Sequence, residues 1–164
     1  MSFIASELAE QEKSLVLSSF DSNVAFEIGT RIRSHIQSTF PNKPQVIIQI
    51  TADTSTQLYF FATVGQGTLP DNAHWAERKR KSVCRWKTST ASLRIKYKDG
   101  MPEKYGTFEA EYATHGGGFP LRVKGVEPLV GVVIVSGLAQ EEDHQSIVDV
   151  LRKYIEEEQK TALS

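Results

Sequence analysis

Apolar residues are densest between Leu129 and Val135, where Leu, Val and Ile fill every position but Gly131. A short, continuous run of this kind predicts a strand covered on both faces, near the middle of a sheet. Residues 119–124 predict the preceding strand, begun through Pro120, which a sheet accepts only at a strand start or an edge. Residues 125–128 are then the hairpin connection. Just ahead stand Gly116, Gly117 and Gly118. Three glycines permit a bulge or a bent strand start, or a loop facing a ligand with His115 at its rim.

Other stretches show helical spacing. Residues 3–17 have helical composition with Ile4, Leu8 and Leu15, which predicts an N-terminal helical arm over residues 1–18 that packs on a neighbour. Asp21 or Ser22 then caps a helix over residues 23–39, whose apolar stripe is Ala25, Ile28, Gly29, Ile32 and Ile36. Gly29 there costs about 1 kcal/mol against alanine, which a close crossing over a sheet would explain. Pro41 and Pro44 end that helix. Residues 45–52 and 57–64 alternate as strands about a turn at 53–56, an antiparallel hairpin.

After a loop at 65–70, Asp71 is the expected N-cap of a helix over residues 72–86, with Trp75, Val83 and Trp86 as its stripe. Lys79 falls on that stripe, so its stem must snorkel to water or its ammonium must meet an anion or a carboxylate across an interface. The neighbours Arg78, Arg80 and Lys81 are expected to form a solvated face. Residues 88–97 leave helix and strand open. Glu141, Glu142 and Asp143 mark a helix start, and His144, Ile147, Val148, Leu151, Tyr154 and Ile155 share its buried face. His144 at the head of that face needs a hydrogen-bond partner, Asp143 and the loop backbone being candidates. Residues 157–164 are expected to fray.

This order predicts an α+β domain over residues 1–164, with an antiparallel sheet and helices packed on it. Composition fits one ordinary domain of 164 residues, with 40% hydrophobic and 24% charged residues. A net charge of -1 gives no reason to expect nucleic acid as a partner. A single cysteine, Cys84, excludes an internal disulfide and suits a cytoplasmic setting. No apolar run reaches the roughly 20 residues of a membrane span, so direct membrane insertion is not expected.

Catalytic motifs are missing. There is no phosphate loop and no dinucleotide fingerprint; Gly65-Gln66-Gly67 lacks the third glycine. Ser136-Gly137 is only a fragment of a nucleophile elbow, so the Ser136 hydroxyl is expected to cap or turn. The four histidines form no His-x-x-x-His pair, and no metal site is expected from spacing.

Four segments together resemble a known family. They are Asp71-Asn72-x-x-Trp75-x-x-Arg78-Lys79, Tyr112-x-x-His115-Gly116-Gly117-Gly118-Phe119-Pro120, Val135-Ser136-Gly137-Leu138 and Asp143-His144. The combination resembles the GlcG-like, haem-degrading HbpS-like family, and within it a branch of about this length with fungal members. The chain departs from the bacterial pattern at Val126-Glu127-Pro128, where a tighter, more glycine-rich turn is usual. The resemblance implies a profilin-like fold with about five antiparallel strands, and a homo-oligomer built from dimers.

Two functions follow from the resemblance. One is a non-enzymatic oligomer that serves as an adaptor, with a chaperone or co-chaperone as partner, in delivery of tail-anchored membrane proteins. There Asp71, Ser136 and Asp143 are structural. The alternative is a pocket for a planar anion such as haem. It would be built from His74, Trp75, Arg78 and Lys79 meeting His115, Gly116, Gly117, Gly118 and Phe119, with His144 nearby.

Overall fold

A computed structural model describes residues 2–43, 45–52, 55–106 and 109–164. The elements run α1 (Ala5–Ser14), α2 (Ser22–Thr39), β1 (Val46–Ala52), β2 (Leu58–Val64), α3 (Pro70–Trp86), α4 (Thr90–Lys96), a single 3-10 turn at Glu103–Tyr105, β3 (Gly118–Leu121), β4 (Gly131–Ser136) and α5 (Gln140–Leu163). The strands form one antiparallel sheet in the order β2-β1-β4-β3. It has four strands among the described residues, where about five were expected.

The apolar run is β4, a central strand buried at all six positions. The Val and Ile side chains on its two faces meet different partners. Val133 and Val135 join the core beneath α2 and α5, whereas Val132 and Ile134 join Ile47, Ala76 and Val83 beneath α3. Period-two alternation divides one strand between two cores. β3 lies at the sheet edge, which is why Pro120 is accepted opposite Val132. Gly29 does mark a close crossing: a Cβ there would stand 2.3 Å from the Phe60 ring of β2.

Several expectations change. Residues 88–97 contain a helix, α4, because the Ser89 hydroxyl accepts the Ser92 N–H and caps it. Asp71 is not the N-cap. Leu69 is, with Pro70 as the first helical residue, and the Asn72 side chain accepts the Leu69 N–H at 2.8 Å. Asp71 occupies the first turn, where its charge still favours the helix. Asp53, Pro44 and Thr107 lie outside the described residues, with the expectations that fell on them.

α1 folds back on its own domain instead of leaving as an arm. The Glu12 carboxylate accepts hydrogen bonds from Thr88 Oγ1, the Ser89 N–H and Ser92 Oγ at 2.8–3.2 Å. Residues 157–163, expected to fray, continue α5 as helix, tied where Glu157 meets Arg31 at 2.6 Å and Glu158 accepts from Ser18 at 2.7 Å. Among the described residues, no helix is long and apolar enough to cross a membrane.

Candidate functional site

α3, α4 and the segment before the glycines enclose a cleft of about 880 Å³. Trp75 and Arg78 face it from α3, Arg94 from α4, and Tyr112, Thr114 and His115 from the connecting segment. That segment is fixed to α3 because the Ala113 N–H reaches Ser82 Oγ at 3.1 Å and the Arg78 carbonyl at 3.3 Å. Arg94 Nη1 donates to Thr114 Oγ1 at 3.3 Å. One turn of helix, one short helix and one loop therefore aim their side chains into a common space.

The aromatic and cationic groups interlock. The His115 and Trp75 rings meet edge to face, centroids 4.9 Å apart. The Arg78 guanidinium lies 4.2 Å above the Trp75 ring. Such stacking holds a cation near an apolar wall without neutralising it. Among the described residues neither Arg78 nor Arg94 forms an ion pair, although Glu103 and Glu109 also line the cleft. Arg78 Nε and His115 Nδ1 are buried without a hydrogen-bond partner. Burial holds the His115 imidazole below its ordinary pKa, helped by the charges of Arg94, Lys79 and Arg78. The ring is neutral at pH 7, the form that ligates a metal.

The expected ligand-binding residues separate into five groups. Trp75, Arg78 and His115 share the cleft. His74, one residue before Trp75, is exposed on α3 and does not line it. Lys79 is turned away: the residue is 2% exposed and its ammonium donates to Asp143 Oδ2 and the Val135 carbonyl, both at 3.0 Å. Its carboxylate partner belongs to the same chain and not to a subunit across an interface. Arg80, expected to be solvated, is also buried and paired with Glu77.

The glycines pack closely against the protein's own backbone and side chains. A Cβ at Gly116 would stand 2.5 Å from the Gln140 carbonyl oxygen, and one at Gly117 2.2 Å from that of Val135. Gly118 begins β3, and Phe119 is buried in the α2 and α5 core. Ser136 ends β4 opposite Ile47. Asp143 joins three elements, since it takes the Lys79 ammonium from α3 and the Leu138 N–H that follows β4 while it begins α5.

His144 belongs to a second pocket, walled by α1, α2 and α5. Its partner is Gln11 of α1, Nε2 to Oε1 at 2.7 Å, and not Asp143 or the loop backbone. Burial lowers its pKa to about 4. The ordinary value is near 6.5, so the unfolded chain takes up a proton that the folded chain refuses as pH falls between those values. Stability from this group is present above pH 6.5 and lost toward pH 4, by about 3 kcal/mol. Asp143 acts oppositely: burial raises its carboxyl to about 6, so acidification through that pH favours the fold. Urea unfolding of wild type and His144→Phe at pH 7 and pH 4 isolates the histidine. The difference should move in the variant's favour by about 3 kcal/mol at the lower pH. A change below about 1 kcal/mol would show that the ring titrates normally.

Sequence reasoning missed Arg94 as a site residue. Its segment was open between helix and strand, and only the helix places Arg94 beside Thr114. Tyr112 was visible as part of a motif, without a role. Among the described residues, no group of three or more His, Cys, Asp or Glu side chains is placed to hold a metal ion.

The sheet between helices is profilin-like, in its GlcG-like form. Residues 20–152 match the family described as haem degrading protein HbpS-like, and the chain belongs to that family. Among curated proteins it is 36% identical over 147 residues to a UPF0303 protein of Burkholderia mallei, covering 88% of this chain and 85% of the other. A UPF0303 protein of Acidobacterium capsulatum is 34% identical over 148 residues, with the same coverage. Among solved structures, the Ybr137w protein is similar with a TM-score of 0.89 and 32% identity, over 96% of this chain and 91% of that one. HbpS gives a TM-score of 0.64 at 18% identity over 87% and 95% of the two chains. The complex of PduOC with heme gives 0.62 at 19%, over 84% and 94%.

Proposed function

We propose that this protein binds haem, through its planar body and its carboxylates, in the cleft of α3 and α4. The carrying observation is the cleft itself: an aromatic pair, Trp75 and His115, flanked by two guanidiniums without an ion pair. Its volume falls within the roughly 300–1,000 Å³ of small-molecule sites. The family's description and the haem complex of a protein with the same fold support haem over other planar anions. The names of the relatives do not point to delivery of tail-anchored proteins, so the haem reading takes precedence over the adaptor.

The residues fit the group. Arg78 and Arg94 would hold propionates, the Trp75 indole would pack on the ring, and the neutral His115 imidazole would be the favoured iron ligand over Met101 and Tyr112, which also line the cleft. Haem, when bound, supplies an iron centre whose reactivity its axial ligand and surroundings tune. The reading extends to self-association: β2 is an edge strand carrying the exposed side chains Leu58 and Phe61.

Titration of the purified chain with haemin tests the site by absorption. Wild type should give a saturable, stoichiometric band shift. His115→Ala should change the position of the bands, and Arg78→Ala or Arg94→Ala should each weaken binding about tenfold, the value of one charge-assisted hydrogen bond. His74→Ala should behave as wild type. A shift that never saturates and is equal in all variants would mean adsorption, and would remove this reading. Bleaching of the bound haemin by ascorbate then tests turnover.

A further inference from the structure

The second pocket holds an unanswered acceptor. It occupies about 290 Å³ between α1, the end of α2 and the start of α5, with Phe3, Leu8 and Phe40 as apolar walls. His144 lines it and is 2% exposed. Gln11 Oε1, 2.7 Å from His144 Nε2, can only accept, so Nε2 carries the proton of the neutral ring. Nδ1 is then a bare lone pair. It is buried and has no donor. A buried acceptor left in that state is costly, and a ligand O–H or N–H would relieve it.

The same pocket has an acidic side. Glu7, Glu141, Glu142 and Asp149 line it. Lys43 engages Glu142 at 3.0 Å, and Gln145 donates to Asp149 at 2.7 Å. Among the described residues, Glu7 and Glu141 form no ion pair. The pocket's lining therefore brings together uncompensated carboxylates, apolar walls and a histidine with a buried, unpartnered acceptor.

We propose that this pocket is a binding site for a small phenolic amine, its ammonium at Glu7 and Glu141 and its hydroxyl donating to His144 Nδ1. One aromatic ring suits a volume at the lower end of ligand sites. Phe3 is the gate. Its ring stands edge-on to His144 with centroids 5.5 Å apart, and it is half-buried on the segment ahead of α1. The site shares no residue with the haem cleft and stands independently of it.

Calorimetric titration of the full chain with three probes tests the assignment: tyramine, phenethylamine and 3-(4-hydroxyphenyl)propanoate. Tyramine should saturate one site per chain. Phenethylamine, lacking the hydroxyl, should bind about tenfold more weakly, and the propanoate should not bind. His144→Phe should reduce tyramine to the affinity of phenethylamine and leave phenethylamine unchanged. The double variant Glu7→Gln with Glu141→Gln should weaken both amines. Nitrogen NMR of the wild-type imidazole serves if the histidine variant does not fold: the Nδ1 resonance should move with tyramine and stay with phenethylamine. Equal affinities for the two amines, binding of the propanoate as tight as tyramine, absence of saturation, or an unmoved Nδ1 resonance would each overturn the proposal.

Discussion

Lys79→Met should lower the unfolding free energy by about 3–5 kcal/mol at pH 7, the cost of leaving one member of a buried ion pair alone. Lys79 and Asp143 are each 2% exposed. Both are desolvated, and burial pushes the ammonium's pKa down and the carboxyl's up to about 6. What holds the pair in place is geometry. The ammonium has the Val135 carbonyl besides the carboxylate, and the carboxylate has the Leu138 N–H besides the ammonium. Methionine keeps the stem's bulk and removes only the charge. The double variant Lys79→Met with Asp143→Leu should recover most of the loss, because no buried charge is stranded. The single variant's deficit should also shrink on acidification, since the orphaned carboxyl takes up a proton. Urea unfolding at pH 7 and pH 5 reads all three results. A loss under about 1 kcal/mol in the single variant would show that the lysine carries no buried pairing at pH 7.

Gly117→Ala should cost about 2–6 kcal/mol, adding backbone strain to overpacking. Gly117 has φ +119, which a side chain rarely accepts, and a Cβ would meet the Val135 carbonyl oxygen at 2.2 Å. That oxygen cannot step aside, because it also accepts from Lys79 and belongs to β4. The Gly117 carbonyl accepts the Val135 N–H at 2.8 Å, so the clash falls on a bonded pair of segments. Gly125→Ala is the control. Gly125 has φ +80 and nothing within 4 Å of the added carbon, so only the strain remains, about 1–2 kcal/mol. Thermal and urea unfolding of the two variants should differ clearly; similar losses would mean that contact with Val135 is not the cause.

The layers of the fold were legible because they rest on periodicity. The run from Leu129 to Val135 announced a central strand, and Gly29 announced a tight crossing, since both signals are local and strong. The site was legible in part. Trp75, Arg78 and His115 came from motifs and do share a cleft. Lys79 was singled out correctly as an oddity on an apolar stripe, but its partner lies 64 residues away and no spacing rule reaches that far. His144 was assigned to the wrong neighbourhood for the same reason: Gln11 is 133 residues distant. The glycine triplet offered two readings because glycine permits close contact without naming the contacting group. Arg94 was hidden by a seven-residue helix whose cap, Ser89, is also a good strand or turn residue.

The clasp of α1 on the domain also sets an order of events during synthesis. Glu12 waits for Ser89, and Gln11 waits for His144, 77 and 133 residues further along the chain. At about 5–20 residues per second, a ribosome needs roughly 7–27 s to supply the histidine after the glutamine. Through that interval Leu8, which lines the pocket with His144 and is buried in the finished protein, lacks the α5 surface beside it. Of the five helices α1 leaves the ribosome before the others yet is among the last to dock, and Glu7, Glu10 and Glu12 keep it soluble meanwhile.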